Sequence, residues 1–298
     1  MTFHRKTKYN YNGDEMDRIY IIDKPEGLTS HDVVSKVRKI LGRKSVGHTG
    51  TLDPFATGLL LVLSDEATKV ARFLEAHDKT YLVKLKLGSK TDTGDLTGKV
   101  IETREVKNLD IKDIREVFNS FLGESEQIPP MYSAIKINGK KLYELARKGQ
   151  EVERKPRKIE ITRLDLISYE DQVLTFEVDC SSGTYVRTLG EDIANRLDTV
   201  GNLISLRRVR IGKFTINMAI NIDDINEDNG LSIMEALKEM PAYKIYGEEE
   251  RDVLNGRPLK LPITDKYVLM VSGDGILKAI YYRDNDCYRS LRGFNLCK

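Results

Sequence analysis

The amino-acid sequence predicts an α+β protein with a mixed, mainly antiparallel sheet, flanking helices and a small β-rich domain at the C-terminal end. Strand patterns follow one another along most of the chain with few helical crossovers between them, which favours an antiparallel sheet over a doubly wound parallel one. Short strand patterns separated by Gly and Asp fill the last part of the chain. A length of 298 residues suits two domains of unequal size.

The first elements are predicted from apolar runs and capping residues. Residues 19–22 are apolar and predict a strand. A helix follows, with Thr29 or Ser30 as its N-cap and Gly42 after its end, because these residue types are favoured at those positions. Residues 59–63 predict a buried strand.

A strand with one buried face is predicted from Tyr81 to Leu87. Every second residue of this segment, starting with Tyr81, is apolar, which is the period-two pattern of a half-buried strand. The remaining elements follow from periodicity and turn residues. They are a helix over 110–122, a hairpin turn at Asn138-Gly139, a short helix over 142–148, strands near 157–168 and 172–180, a helix over 184–197, a strand near 202–211, a helix over 248–254, and strands near 267–272, 276–283 and 287–294.

The composition excludes several classes of protein. The longest apolar run, at residues 59–63, is too short to cross a bilayer, and the polar N-terminal segment has no signal-peptide core. We therefore expect a cytoplasmic protein. The widely spaced Cys180, Cys287 and Cys297 are odd in number and have no histidine at ligand spacing. We expect neither a disulfide framework nor a metal site.

The net charge of +2 hides an uneven distribution of charge. Residues 136–163 contain ten Lys or Arg against four Glu, and residues 207–213 contain four basic residues and no acid. Residues 219–250 contain nine acids against two lysines. A polyanion such as nucleic acid would approach the basic segments. The alternative is that each charged run is a solvated face.

Residues 47–58, with the sequence GHTGTLDPFATG, predict a glycine-rich loop that presents one carboxylate, Asp53. Its glycines permit positive φ and close approach of another molecule, while Pro54 restricts Asp53 to extended geometry. No Gly-Lys-Ser/Thr follows, which excludes a phosphate-binding loop. The pattern favours a carboxylate held towards a bulky substrate. The alternative is that Asp53 only shapes an Asp-Pro turn.

Six motifs, in the same order along the chain, resemble those of the TruB family of tRNA pseudouridine-55 synthases. They are DKPEGLTS at 23–30, GHTGTLDP at 47–54, KTY at 79–81, GSKTDTGD at 88–95, QIPPMYSA at 127–134 and GTYVRT at 183–188. The resemblance spans about residues 19 to 215. It implies that the sheet is a pseudouridine-synthase sheet.

The same resemblance implies how the chain is divided. Residues 19–240 are expected to form the catalytic domain, with an RNA-clamping insertion at about 124–152. Residues 241–298 look like a PUA-type RNA-binding domain, and residues 1–18 are expected to form a flexible tail. Residues 91–95 lack the acid spacing of a calcium loop, so we expect a turn beside the site.

The resemblance identifies Asp53 with the nucleophile of the family, acting without metal or cofactor. Aspartate has an ordinary pKa of about 3.9 and is ionised at neutral pH, so it can form and release a covalent adduct. Arg187 is implied to pair with Asp53 and to lower its pKa by ~1 to 3 units. Tyr81 is implied to stack on the target uracil and to help remove its C5 proton. The alternatives are a structural ion pair for Arg187 and a core position for Tyr81.

Five further residues match positions of the family. His48 is implied to fill the space that the flipped uridine leaves in the RNA; the alternative is a histidine that bonds within its own loop. Tyr185 and Leu206 match residues of the pocket, although Leu206 alone would be read as core. Lys24 and Pro25 match the motif that supports the catalytic loop.

The implied function is isomerisation of uridine 55 to pseudouridine in the T-arm of tRNA by a monomer that flips the base out of the RNA. Two other functions stay open. A guide-RNA-dependent pseudouridine synthase would share the catalytic loop. A tRNA-binding folding chaperone would bind and remodel tRNA, with catalysis as a secondary activity.

Overall fold

The computed structural model describes residues 17–133, 135–137, 139–146 and 148–296. The strands are β1 Arg18–Lys24, β2 Val46–Thr49, β3 Thr57–Ser64, β4 Lys79–Leu87, β5 Ser89–Thr91, β6 Val100–Thr103, β7 Gly123–Gln127, β8 Lys136–Ile137, β9 Lys140–Lys141, β10 Arg157–Glu170, β11 Val173–Cys180, β12 Gly201–Ile211, β13 Phe214–Thr215, β14 Leu231–Ser232, β15 Ala242–Ile245, β16 Tyr267–Ser272, β17 Leu277–Asp284 and β18 Cys287–Gly293. The α-helices are α1 Ser30–Ile40, α2 Ala71–Glu75, α3 Ile111–Asn119, α4 Leu142–Ala146, α5 Val186–Arg196, α6 Ile233–Ala236 and α7 Gly247–Leu254. Short 3₁₀ helices cover Asp65–Val70, Ile216–Met218 and Ile222–Asp224.

A large mixed sheet forms the body of the molecule. Its strand order is β14-β1-β3-β12-β4-β11-β10-β7, with β2 paired to β3 and β13 paired to β12. Strands β3 and β12 pair in parallel, whereas the neighbours on either side pair antiparallel. The predicted α+β class with a mainly antiparallel sheet is confirmed. The parallel pair sets Arg207 opposite Thr57 and Arg208 opposite Gly58, so β12 lies beside the end of the Asp53 loop.

Helix α1 begins where its sequence predicts. The Thr29 side chain accepts a hydrogen bond from the Asp32 N–H, and the Asp32 carboxylate accepts one from the Thr29 N–H. This capping box satisfies two backbone donors that the first turn would otherwise leave unpaired. Gly42 follows the helix with a φ of +64°. The buried face consists of Val33, Val34 and Val37.

Strand β4 has the predicted alternation. Tyr81, Val83, Leu85 and Leu87 are all buried, while Lys84 between them is exposed. The strand lies between β11 and β12 in the middle of the sheet. Its inward face joins a hydrophobic core with α3 and α5. Tyr81 therefore lies at the edge of this core, next to the cleft described below.

The C-terminal end of the chain forms a small β domain, as predicted. Its sheet has the order β15-β16-β17-β18. One face covers a separate small core with α7, and the other joins apolar residues of β1 and β3 in a common cluster. The small domain is therefore packed on the large sheet.

Several predicted boundaries were wrong. Strand β1 begins at Arg18, so Asp17 and Arg18 belong to the fold and not to the predicted tail; residues 1–16 lie outside the described residues. Residues 47–49 of the predicted loop form most of β2, because they pair antiparallel with β3 despite their glycine. Helix α4 ends at Ala146 and α5 begins at Val186, each inside its predicted range.

The predicted hairpin pairs Lys136–Ile137 with Lys140–Lys141, while Asn138 of its turn is outside the described residues. Cys180 and Cys287 are free thiols, and Cys297 is also outside the described residues. In the part of the chain that the structure describes, no three His, Cys, Asp or Glu side chains converge at metal-binding distance. No helix in that part has the length and apolarity needed to cross a membrane.

Candidate active site

A cleft of about 630 Å³ opens between the Asp53 loop, strand β4, the start of α5 and the segment after β7. This volume lies within the range of small-molecule sites, ~300 to 1,000 Å³. Of the residues predicted for the site, those that line the cleft are Asp53, Tyr81, Tyr185, Arg187 and Leu206. They come from four separate parts of the sequence.

Asp53 and Arg187 form a two-point ion pair in this cleft. Arg187 Nε lies 2.9 Å from Asp53 Oδ2, and Nη2 donates a hydrogen bond of 3.4 Å to Oδ1. Arg187 is only 5% exposed, whereas the Asp53 side chain keeps 32% of its surface exposed. The arginine is thus part of the wall, and the carboxylate is accessible from the cleft.

The pKa of Asp53 is raised above its ordinary value of 3.8. Burial in the cleft is the largest cause, Arg187 opposes the rise, and the negative charge of Asp95 adds to it. Arg187 lowers this pKa in the expected direction, but desolvation of the carboxylate outweighs the ion pair, so the net change is a rise. Arg187 therefore limits the rise.

Lys24 anchors the Asp53 loop from its buried side. Its side chain is fully buried, and Nζ donates to the carbonyl oxygens of Pro25 at 2.9 Å, Leu28 at 2.7 Å and Pro54 at 3.4 Å. Burial lowers the pKa of Lys24 to about 8. The structure places Lys24 under the loop as the sequence predicts, and Pro25 contributes its carbonyl oxygen outside the cleft.

The backbone of the loop is fixed at both ends. Leu52 donates its N–H to Ser30 Oγ at 2.9 Å, and the same hydroxyl donates to the Leu52 carbonyl at 3.1 Å. At the far end, Gly58 has a φ of +101°, and a Cβ there would collide with the backbone of Arg208. Only glycine permits this close approach of β12 to the loop.

Arg208 is a residue of the cleft that sequence reasoning missed. It is 1% exposed, and it donates to the Leu59 carbonyl at 2.7 Å and to the Gly50 carbonyl at 2.9 Å. Burial raises the pKa of Tyr81, and the positive charge of Arg208 opposes this rise. The only signal in the sequence was its place in Leu206-Arg207-Arg208, because its partners are far away along the chain.

Lys79 is a second missed cation in the wall. It is 6% exposed, and Nζ donates to the Glu75 and His77 carbonyls at 2.6 Å each and to Ser182 Oγ at 3.1 Å. Burial lowers its pKa to about 8. Lys79 thus joins the start of β4 to the loop before α5.

Arg187 is held by backbone as well as by Asp53. Its Nη1 donates to the Thr93 carbonyl at 2.7 Å, and its Nη2 donates to the Tyr132 carbonyl at 2.6 Å. Asp95 Oδ2 lies 3.9 Å from Nη1. The turn at residues 91–95 therefore lies beside the site, as the sequence predicts.

His48 does not line the cleft. It lies on β2 opposite Val62 and is partly exposed. Its Nδ1 is buried and has no hydrogen-bond partner among the residues that the structure describes. Burial lowers the pKa of His48, and the charge of nearby Arg208 adds to this effect. Among the described residues, Nδ1 therefore does not make the loop hydrogen bond considered as an alternative.

The comparisons with known proteins agree on one family. Residues 38–186 match the model of the TruB family pseudouridylate synthase N-terminal domain. The tRNA pseudouridine synthase B of Clostridium kluyveri is 47% identical over 82% of this chain and 86% of its own length. The protein of the same name from Caldanaerobacter subterraneus subsp. tengcongensis is 38% identical over 94% of this chain and 99% of its own.

Among solved structures, a Cbf5-Nop10-Gar1 complex matches with a TM-score of 0.70 and 21% identity, over 98% of this chain and 92% of the other. An H/ACA RNP bound to a substrate RNA matches with a TM-score of 0.69 and 21% identity, over 94% and 84%. At this identity the likeness concerns the fold. The match to the family model and the names of the curated relatives define the class as RNA-modifying isomerases. The chain belongs to the TruB family of pseudouridylate synthases.

Proposed function

We propose that this chain converts uridine 55 in the T-arm of tRNA to pseudouridine, with Asp53 as the nucleophile. One observation carries the proposal: Asp53 is paired with Arg187 but remains accessible in a cleft large enough for a nucleoside. Membership of the TruB family and the names of its relatives support the reaction and the substrate.

The reaction is an isomerisation, so its atoms balance without a co-substrate. The bond between ribose C1′ and uracil N1 breaks, the base turns, and a bond forms between C1′ and C5. The C5 proton leaves, and N1 takes up a proton. The ionised oxygen of Asp53 supplies the electron pair for a covalent adduct, at C1′ or at C6, and the adduct later releases it. A glycal route would use the same carboxylate as a base.

The other residues of the cleft fit this chemistry. Tyr81 and Arg208 both line the cleft, where the Tyr81 ring can stack on the uracil and its hydroxyl can approach C5. Arg187 holds Asp53 ionised, and Tyr185 and Leu206 complete the pocket around the base. Flipping the uridine costs a few kcal/mol, and stacking of His48 in the vacated space would recover ~1 to 3 kcal/mol.

The RNA surface in this proposal extends from the cleft over the insertion at 124–152. Lys136 of the insertion and Arg157 beside it line the same cleft as Asp53, where they can neutralise phosphates near the flipped base. The division into a catalytic domain at 19–240 and a PUA-like RNA-binding domain at 241–298 belongs to the same proposal.

The proposal also includes action in the cytoplasm, as a monomer, without a bound metal. Light scattering coupled to gel filtration tests the monomer. Full activity after dialysis against a chelator tests the absence of a metal requirement, and fractionation of cells that carry the tagged chain tests its location.

The decisive assay uses tRNA that carries tritium at uracil C5, since formation of pseudouridine releases this tritium to water. Wild-type protein should release one tritium for each tRNA molecule. Asp53→Asn should release none and still bind the tRNA. Release by the variant, or no release by the wild type, would refute the proposal.

Two outcomes would favour the alternatives. Activity that appears only with a guide RNA and accessory proteins would indicate the guide-dependent reaction. Refolding of misfolded tRNA by both wild type and Asp53→Asn, with no tritium release by either, would indicate a chaperone.

A further inference from the structure

Gln127, at the end of β7, is almost completely buried, with 5% of its surface exposed. Its side-chain amide forms a reciprocal pair of hydrogen bonds with the backbone of one residue, Tyr185. The Tyr185 N–H donates to Oε1 at 2.7 Å, and Nε2 donates to the Tyr185 carbonyl at 3.1 Å. Only one orientation of the amide satisfies both bonds. The side chain is therefore fixed.

Tyr185 is the N-cap residue of α5, and its own side chain makes no capping hydrogen bond. The direction in which this helix starts consequently depends on what holds the Tyr185 backbone. Arg187 lies on the first turn of the same helix and forms the ion pair with Asp53 at 2.9 Å. A shift of the Tyr185 backbone would thus displace the guanidinium from the carboxylate.

The segment that begins at Gln127 also contacts Arg187 directly. The Tyr132 carbonyl accepts a hydrogen bond of 2.6 Å from Nη2, the same nitrogen that donates to Asp53 Oδ1 at 3.4 Å. The start of the insertion therefore holds both the helix that carries the arginine and the guanidinium itself.

We infer that Gln127 is a positioning residue that couples the insertion to the Asp53–Arg187 pair. The inference rests on the proposed function, because it assumes that this pair performs the chemistry. Clamping of RNA by the insertion would act on Arg187 through Gln127 and Tyr132, so that the pair takes its working geometry when the substrate is held. The contribution of Gln127 is to the isomerisation step and not to RNA affinity.

The test compares three variants of the full chain. Gln127→Met keeps the size of the side chain and removes both hydrogen bonds. Gln127→Glu keeps the acceptor for the Tyr185 N–H and loses the donor, and it also serves if the methionine variant does not fold. Gln172→Met makes the same exchange at an exposed position between β10 and β11, outside the insertion, and is the control.

Two readouts separate positioning from a general loss of structure. Tritium release under single-turnover conditions, with enzyme in excess, should fall by ~10- to 100-fold in Gln127→Met, because small misplacements of reacting groups have effects of this size. Gln127→Glu should lie between this variant and the wild type, and Gln172→Met should equal the wild type. Since Arg187 limits the pKa rise of Asp53, the acid limb of the Gln127→Met rate profile should move to higher pH.

The second readout needs no RNA. The ¹⁵Nε–H NMR signal of Arg187 reports its hydrogen bond to Asp53, and it should shift in Gln127→Met and stay unchanged in Gln172→Met. An unchanged Arg187 signal and a wild-type rate profile in Gln127→Met would overturn the inference. So would a loss of rate explained entirely by weaker tRNA binding. If the wild type released no tritium, the proposed function would fail, while the Arg187 signal would still decide whether Gln127 positions the arginine.

Discussion

The two walls of the cleft are held in different ways. The Asp53 loop is fixed from the large sheet and α1 through Lys24, Ser30 and Arg208, all of them buried. The opposite wall, formed by the end of β7 and the segment after it, contacts the Tyr185 backbone through Gln127 and contacts Arg187 through the Tyr132 carbonyl. The nucleophile is thus part of a rigid framework, and the wall that would hold RNA is joined to it at few points. Changes in the loop wall and at Gln127 should alter chemistry, whereas changes at charged residues of the insertion wall should alter RNA binding.

The largest effect is expected for Arg187→Met, because Arg187 connects the two walls. Loss of its charge should lower the single-turnover rate by ~10²- to 10³-fold, as removal of a preorganised electrostatic partner does. The pKa of Asp53 is already raised by burial, and Arg187 opposes this rise. The acid limb of the pH–rate profile should therefore move to higher pH in the variant.

Arg196→Met, at the exposed end of the same helix, is the matched control for Arg187→Met and should keep the wild-type profile. A profile of Arg187→Met with its acid limb at or below that of the wild type would show that the arginine does not act on Asp53.

The next effect is expected at Tyr81, which lies on the framework side of the cleft. Tyr81→Phe keeps the ring and should bind tRNA normally, while its rate should fall by ~100-fold, as expected for loss of a group that transfers a proton. Tyr81→Leu also loses the stacking surface, so its binding should weaken by ~1 to 3 kcal/mol. Filter binding and single-turnover tritium release measure the two quantities. Undiminished rates in both variants would remove Tyr81 from the mechanism.

The sequence predicts much of the fold because strand and helix patterns are local. The alternation of apolar residues from Tyr81 to Leu87 and the N-cap at Thr29 can be predicted without knowing which elements pack against them. Strands β2 and β7 were missed because their strand state comes from pairing. Strand β2 contains Gly47 and pairs with β3, while β7 has the polar sequence GESEQ and pairs with β10.

The residues of the site also divide into those predicted from local motifs and those placed by contacts with distant parts of the chain. Motifs that resemble a known family pointed to Asp53 and Arg187, and the structure brings the two within 2.9 Å. Arg208 and Gln127 were missed because their roles consist of hydrogen bonds to the backbones of distant residues, Gly50 and Tyr185. No local pattern reports such contacts. The net rise of the Asp53 pKa could not be predicted from the sequence, since desolvation depends on the packed cleft.

A smaller effect is expected for Lys24→Met, which removes the lysine beneath the loop wall. The loop should lose its anchor at the Pro54 carbonyl, and the single-turnover rate should fall by ~10-fold through misplacement of Asp53. Affinity for tRNA should be unchanged. Lys39→Met, an exposed lysine on α1, is the control. Equal rates in the two variants would show that the Lys24 anchor does not control the nucleophile.

The lowered pKa of Lys24 also makes the free energy of unfolding depend on pH. Burial lowers its pKa in the folded chain from 10.5 to about 8, so between these values the unfolded chain binds more protons than the folded one. The free energy of unfolding of the wild type should therefore rise between about pH 8 and pH 10.5, relative to that of Lys24→Met. Urea titrations at several pH values measure the difference. A difference that falls over this range would contradict the burial of a charged Lys24.

The smallest effect of a substitution is expected at a charged residue of the insertion wall. Binding of tRNA should weaken steeply with salt, and Lys136→Ala should reduce the slope of log Kd against log salt by ~0.7 to 0.9, the contribution of one phosphate contact. The rate on bound tRNA should remain that of the wild type. Lys238→Ala, in the acidic segment, should leave the slope unchanged. A slope unaffected by Lys136→Ala would mean that the RNA does not follow this wall.

The central claim is that Asp53 meets a uridine flipped into the cleft between the two walls. A crystal structure of Asp53→Asn in complex with a T-arm stem-loop tests it most directly. The claim predicts the target nucleoside unstacked within the cleft, with its ribose and uracil against residue 53 and with Tyr81 against the base. A target uridine still stacked in the RNA, or bound away from a residue 53 that is closed off from the cleft, would contradict it.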